Sequence, residues 1–69
     1  MLEVELEQIV WLCHHTLPPR QAEVVEVTHE SCRVMFLTTS GTVSFANFSL
    51  ITGYNDGNNA YWIQTELTD

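Results

Sequence analysis

Cysteine and histidine side chains form two short groups that suggest metal or thiol chemistry. Cys13, His14 and His15 are consecutive, and two residues separate His29 from Cys32. Zinc is bound tetrahedrally by such side chains. The spacing argues against a zinc site, because adjacent residues on a helix point about 100° apart and the Cys-x-x-Cys pair of a zinc knuckle is missing. We therefore predict no metal and no cofactor, and two reduced thiols in the core.

Nucleophilic catalysis requires a base within hydrogen-bond reach of the nucleophile and a stabiliser for the oxyanion. Ser40, Ser44 and Ser49 lie in predicted strands or turns without the sharp turn that exposes a catalytic serine. The chain also has no glycine-rich phosphate loop and no lysine to neutralise a phosphate. We predict that the protein is not an enzyme.

Carboxylates dominate the charge of the chain. Nine acidic residues face two arginines and no lysine, for a net charge of -7. Most carboxylates therefore have no cation to pair with, and such a surface repels phosphates and attracts basic protein surfaces. The alternative is that net charge only keeps a small protein soluble. The acids predicted to bind a partner are Glu3, Glu5, Glu7, Glu23, Glu26 and Glu30.

Two tryptophans fall on faces that are otherwise polar. Trp11 lies off the apolar stripe of a predicted helix, and Trp62 shares a predicted strand face with Gln64 and Glu66. Tryptophan is enriched at binding hot spots, so we predict Trp11 and Trp62 as anchors for a partner. The alternative is that both are half-buried, with Trp62 beneath the helix or in the seam of a dimer.

The elements that carry these residues begin with a predicted N-terminal helix over residues 2–16. Pro18 and Pro19 end the pattern. Alternation of apolar residues with glutamates favours a strand at the start of this segment, but it stops at Gln8, so we predict the helix. Four apolar residues at i, i+4, i+7 and i+11 line one helix face: Leu2, Leu6, Ile9 and Cys13.

The rest of the chain is rich in β-branched and aromatic residues, which predicts strands. Ser40-Gly41 is typical of a tight hairpin turn, and residues 53–59 have the composition of a loop. The connections favour an antiparallel meander. The predicted strands are residues 22–29, 32–39, 42–51 and 60–67.

Together these elements predict a single α+β domain over residues 1–69, with an N-terminal amphipathic helix on a bent four-stranded antiparallel sheet or a small barrel of the SH3 or Sm type. Residues 34–37 are apolar on both strand faces, so both faces must be covered. The helix can cover one face, and either barrel closure or a second copy can cover the other. The small core favours a homodimer.

The sequence thus predicts a small acidic interaction protein of the cytoplasm, with no membrane span because no apolar run approaches about 18 residues. The N-terminus is acidic where a secretory signal is basic. The expected partner is a protein with a basic surface, with no direct binding of nucleic acid. The sharpest version is a phage or mobile-element inhibitor of a nucleic-acid-handling protein, in the manner of anti-CRISPR proteins and DNA mimics. The alternative is a homo-oligomeric structural or regulatory module.

Overall fold

The computed structural model describes residues 1–67 as a curled sheet of five antiparallel strands. Their order across the sheet is β4-β3-β2-β1-β5, so β5 leaves the meander and crosses to the free edge of β1. Residues 1–67 contain no α-helix, and hence no helix that could cross a membrane. The strands are β1 (Ile9–His14), β2 (Arg20–Val27), β3 (Ser31–Leu37), β4 (Val43–Ser49) and β5 (Tyr61–Gln64).

The sheet curls into a half-barrel that is joined along only part of its length. A register shift between Val24 and Glu26 forms a bulge in β2, which increases the local twist. Tyr54 and Asn55 then link the two edge strands. Ser49 N–H donates to the Tyr54 carbonyl at 3.0 Å, and Asn55 N–H donates to the Tyr61 carbonyl at 3.0 Å. The remaining part of the gap between β4 and β5 stays open.

The core lies on the concave face, where alternate residues of all five strands meet. Phe48 is its largest fully buried side chain. Leu2 and Val4 of the N-terminal segment pack against it, and Leu2 N–H donates to the Leu50 carbonyl at 2.7 Å. The chain start therefore closes one end of the curl. The buried cluster contains Val10, Leu12, Ala22, Val24, Cys32, Val34, Phe48, Leu50 and Ile63.

The predicted N-terminal helix over residues 2–16 is wrong. Residues 9–14 form β1, because Val10 and Leu12 point into the core while Ile9 and Trp11 point to the other face. A strand that is apolar on both faces reproduces helical spacing by chance. The apolar stripe of the predicted helix is also not buried as a unit, since Leu6 is 61% exposed and Ile9 is 50% exposed.

Glu7 breaks the helical pattern locally. Its φ of 70° is in the left-handed region. Residues other than glycine adopt this conformation only singly, and it is incompatible with a right-handed helix. Gln8 N–H donates to the Glu5 carbonyl at 3.2 Å, and Glu7 N–H donates to the Val24 carbonyl at 2.8 Å. This turn ends the N-terminal segment and aims the chain into β1.

The predicted α+β class with a four-stranded sheet is wrong as well. The missing fifth strand is β1, and it occupies an inner position between β2 and β5. No helix covers either face in the described part of the chain. The concave face is covered by the curl itself, by residues 53–56 and by the N-terminal segment.

Gly53 is a buried glycine in the connection between β4 and β5. Its φ is 82°, and its N–H donates to the Ser49 carbonyl at 2.8 Å. A Cβ at this position would lie 3.5 Å from Leu2 Cδ1 and 3.6 Å from the Ile63 carbonyl oxygen. The left-handed backbone favours glycine here. The surrounding atoms would make only ordinary van der Waals contact with a Cβ.

Phe48 and Phe45 of β4 provide a matched test of which face is the core. Phe48→Ala should lower the free energy of unfolding by about 3–5 kcal/mol. The total free energy of unfolding of a chain of this size is roughly 3–10 kcal/mol, so this loss is a large part of it. Phe45 is 57% exposed, so Phe45→Ala should change it by about 0.5 kcal/mol or less. Urea unfolding at low protein concentration, followed by tryptophan fluorescence, measures both. Equal losses would contradict the assignment of faces.

Candidate functional site

Carboxylates collect at one end of the curled sheet, here called the acidic end. This end contains the start of β1, the turn between β2 and β3, and the residues after β5, since the strands are antiparallel. At the opposite end, the connections of residues 15–19 and 38–42 have no acidic residue. The long β4–β5 connection, residues 50–60, has one, Asp56, whose N–H donates to the Asn47 carbonyl of β4. Negative charge is therefore distributed unevenly between the two ends of the sheet. The acidic end contains Glu3, Glu5, Glu7, Glu26, Glu30 and Glu66.

The N-terminal segment presents three of these glutamates. Leu2 and Val4 alternate with exposed Glu3 and Glu5, so apolar burial on one side turns the carboxylates outward on the other. Glu5 N–H donates to Gln8 Oε1 at 2.9 Å, which fixes the turn that exposes Glu7. Packing of Leu2 and Val4, together with this turn, thus leaves the three glutamates exposed at the acidic end.

The remaining predicted acids divide between the acidic end and the convex face. Glu26 and Glu30 are exposed at the end of β2 and in the turn that follows it. Glu23 is half-buried in the middle of the convex face, with Ile9 and Met35 as its partners on the neighbouring strands. The structure therefore separates Glu23 from the other five acids predicted to bind a partner.

The two arginines leave the acidic end largely without compensation. Arg33 lies opposite Glu26 in the ladder, and its Nε donates to Asn47 Oδ1 at 3.1 Å. Arg20 begins β2 at the opposite end, where its Nη1 donates to the Leu37 carbonyl at 3.0 Å. Of the two arginines, Arg33 therefore lies beside Glu26 at the acidic end, and Arg20 lies at the opposite end.

Trp62 anchors a polar and aromatic cluster at the β1–β5 edge. Its Nε1 donates to Gln64 Oε1 at 2.9 Å, and Cys13 Sγ donates to the same oxygen at 3.4 Å. The His15 ring lies 5.1 Å from the Trp62 ring between centroids, and the Tyr54 ring lies at 6.1 Å. Trp62 is half-buried, and its indole N–H is already satisfied within the chain.

The prediction of Trp11 on a helix face is wrong, because Trp11 lies on the convex face of β1. Its ladder partners are Gln21 and Gln64. It is half-buried and shares this face with Ile9. Neither tryptophan lies at the acidic end, so the predicted anchors and most of the predicted acids belong to different surfaces.

The convex face also exposes large apolar side chains that sequence reasoning missed. Phe45 and Leu37 are 57% and 61% exposed. The two-sided apolar pattern of residues 34–37 was the available signal, because one curled sheet has only one concave face to bury. The exposed residues of this group, here called the convex apolar face, are Ile9, Leu37, Val43 and Phe45.

The two thiols lie on opposite faces of the sheet. Cys32 belongs to the core cluster of the concave face, whereas Cys13 is buried beside Trp62 and Gln64. β2 separates their strands, and Cys13 lies level with the start of β2 whereas Cys32 pairs with Val27 at its end. The Cα atoms are therefore roughly 20 Å or more apart, beyond the reach of a disulfide. Residues 1–67 contain no group of three or more metal-ligating side chains.

Burial changes the acidity of both thiols. Desolvation raises the pKa of Cys13, and desolvation together with the negative charge of Asp56 raises the pKa of Cys32. The thiolate is the reactive form, so both thiols are poor nucleophiles at neutral pH. Their surroundings are those of structural cysteines.

Alkylation should report this protection. At neutral pH, iodoacetamide should modify Cys13 and Cys32 several-fold more slowly in the folded protein than in urea, because the thiol is both buried and protonated. The rate should rise as the pH increases above the ordinary thiol pKa, since thiolate then accumulates. Mass spectrometry of the time course follows both sites. Modification of the folded protein as fast as in urea would contradict the assignment.

A cavity of about 460 Å³ opens on the concave side where β4 and β5 are not joined. Leu12, Phe36 and Phe48 provide an apolar floor, and Arg20 and Tyr61 also line it. The volume lies within the usual range for small-molecule pockets. This lining suits a small molecule that has an apolar part and an acidic group near Arg20. The acidic end, in contrast, would attract cations.

Comparisons of this chain with protein-family models, with curated proteins and with solved structures found no match.

Proposed function

We propose that this protein is a non-enzymatic interaction protein whose acidic end binds a basic surface on another protein. The collection of Glu3, Glu5, Glu7, Glu26 and Glu30 at one end of the sheet carries the proposal. Carboxylates accept charge-assisted hydrogen bonds from arginine and lysine, which are among the stronger hydrogen bonds in proteins. A concentrated field at one end also orients the protein during its approach to a basic partner.

The length of the molecule makes the position of each charge important. The described part of the chain is 32 Å long and the Debye length at physiological ionic strength is about 8 Å. A basic surface docked on the acidic end is therefore screened from charges at the other end. Binding should depend on the local carboxylates and much less on the net charge.

The more specific version of the proposal is an inhibitor of a nucleic-acid-handling protein, of the kind that phages and mobile elements encode. In this version the clustered carboxylates occupy a groove that normally binds phosphates, and the inhibitor competes with nucleic acid. Glu23, Trp11 and Trp62 lie outside the acidic end, so they would contact such a partner only if it also extended over the convex face or the β1–β5 edge.

We propose that the protein acts through binding alone, and in the cytoplasm. The raised pKa values of Cys13 and Cys32 disfavour a thiolate nucleophile. Two unpaired thiols on opposite faces also suit a reducing compartment, where cysteines remain reduced.

Paired charge changes at the two ends test the proposal. Glu26→Gln with Glu30→Gln raises the net charge by two at the acidic end, and Gln21→Lys with Thr39→Lys raises it by two towards the other end. Wild-type protein is used to capture basic proteins from a cell extract at low salt, and the affinity of the purified partner for each form is measured over a salt series. The acidic-end pair should weaken binding by about tenfold or more, at about 1 kcal/mol for each carboxylate lost.

The pair at the other end is the control and should change the affinity less than threefold, because screening isolates it. Raised salt should weaken wild-type binding more steeply than binding of the acidic-end pair. Competition between the protein and a short DNA duplex for the partner tests the inhibitor version. Equal effects of the two pairs, or an affinity that does not change with salt, would refute the role of the acidic end.

A further inference from the structure

The N-terminal half of β4 is a free sheet edge next to the convex apolar face. In an antiparallel strand, the N–H and C=O of one residue point to the same side, and the side alternates along the chain. The Asn47 carbonyl accepts from Asp56 N–H at 3.3 Å, and Ser49 N–H donates to Tyr54 at 3.0 Å, so odd-numbered residues face away from β3. Within residues 1–67, the outward groups of Val43 and Phe45 have no backbone partner.

This edge lacks the features that normally prevent edge-to-edge association. Charged side chains, proline and bulges protect most exposed edges. β4 reads Val-Ser-Phe-Ala-Asn-Phe-Ser, without charge or proline, and pairs with β3 in unbroken register. Val43 is 55% exposed and Phe45 is 57% exposed.

We propose that two copies of the chain pair antiparallel through their β4 edges, with a two-fold axis at Ser44. This register places Val43 opposite Phe45 of the second copy and Phe45 opposite its Val43. All four outward N–H and C=O groups of these two residues are then used, which gives four hydrogen bonds across the seam. The pairing stops where residues 54–56 begin to cover β4.

The side chains support the same register. Val43 and Phe45 both project to the convex side, where they form two aromatic to β-branched cross-strand pairs, one on each side of the axis. The convex apolar faces of the two copies then become one continuous surface. The neighbouring symmetric registers are less favourable. An axis at Phe45 would pair Val43 with Asn47, whose carbonyl is already bonded to Asp56 and Asn55. An axis at Val43 would place Phe45 opposite Gly41 in the turn before β4.

Charge favours a second copy in this antiparallel arrangement. A net charge of -7 opposes most contacts between copies. The free part of β4 lies away from the acidic end and next to the connection of residues 38–42, which has no carboxylate, and antiparallel pairing points the two acidic ends in opposite directions. Within residues 1–67, the one carboxylate beside the seam is that of Asp56, which lies next to Asn47 where the free part of β4 ends. Repulsion between copies is therefore smallest in this geometry. The pairing leaves both acidic ends accessible and does not depend on the proposed function.

Sedimentation and amide exchange of the wild-type protein give the first test. The protein should change from monomer to dimer between micromolar and millimolar concentration. Over the same range, exchange of the Val43 and Phe45 amides should slow, while the Ser44 and Ala46 amides, which face β3, should not change. A monomer at all concentrations, or a dimer without this alternation, would overturn the proposal.

A cross-link tests the position of the axis. Non-hydrogen-bonded partners in an antiparallel ladder have Cα atoms about 4.5 Å apart, within the range of a disulfide. Ser44→Cys should therefore form a disulfide-linked dimer under mild oxidation. Ser40→Cys, in the exposed turn after β3, is the control and should remain largely monomeric. Equal cross-linking of both variants would argue against the register.

Two further variants separate the edge from the convex face. Phe45→Pro removes an outward N–H that bonds nothing in one copy, so it should abolish the dimer. Leu37→Lys changes an equally exposed apolar residue on β3 and should weaken the dimer only several-fold. Loss of the dimer in Leu37→Lys but not in Phe45→Pro would assign the seam to the face and overturn edge pairing. If Phe45→Pro does not fold, Phe45→Lys replaces it.

Discussion

Burial of the concave face of one curled sheet is the interaction on which the rest of the structure depends. Without a helix or a second sheet in residues 1–67, the inward side chains of five strands can leave water only by facing each other across the curl. The bulge in β2 increases that curl, residues 54–55 join its edges, and Leu2 and Val4 close its end. Each of these features serves the same small core around Phe48.

The same constraint distributes the polar and apolar surfaces. Side chains in the chain segments at the acidic end that do not pack into the core face solvent, so glutamates are tolerated there, and six of the seven glutamates occur at this end. The convex face has no cover, so side chains such as Leu37 and Phe45 remain in solvent. The molecule thus offers two chemically different surfaces, one of concentrated charge and one of apolar side chains beside an open edge.

The sequence allowed some elements to be predicted better than others, for physical reasons. Residues 22–29 and 32–39 overlap β2 and β3, because β-branched residues at alternating positions have one main explanation. β1 is apolar on both faces, and that pattern fits a helix equally well. The pairing of β1 with β5 depends on contacts about 50 residues apart in the chain, which local patterns do not encode. The acids could be chosen by type, but their collection at one end depends on strand direction.

The inner position of β1 also affects how the chain assembles. Its two edges are paired with strands from opposite ends of the sequence, β2 immediately after it and β5 near residue 61. During synthesis, β1 to β4 can form while one edge of β1 has no neighbour, and β1 carries apolar side chains on both of its faces. Until β5 is synthesised, the growing polypeptide has two unpaired sheet edges, β1 and β4, whereas the finished sheet leaves the N-terminal half of β4 unpaired. The chain is then most prone to capture by chaperones or by another nascent chain.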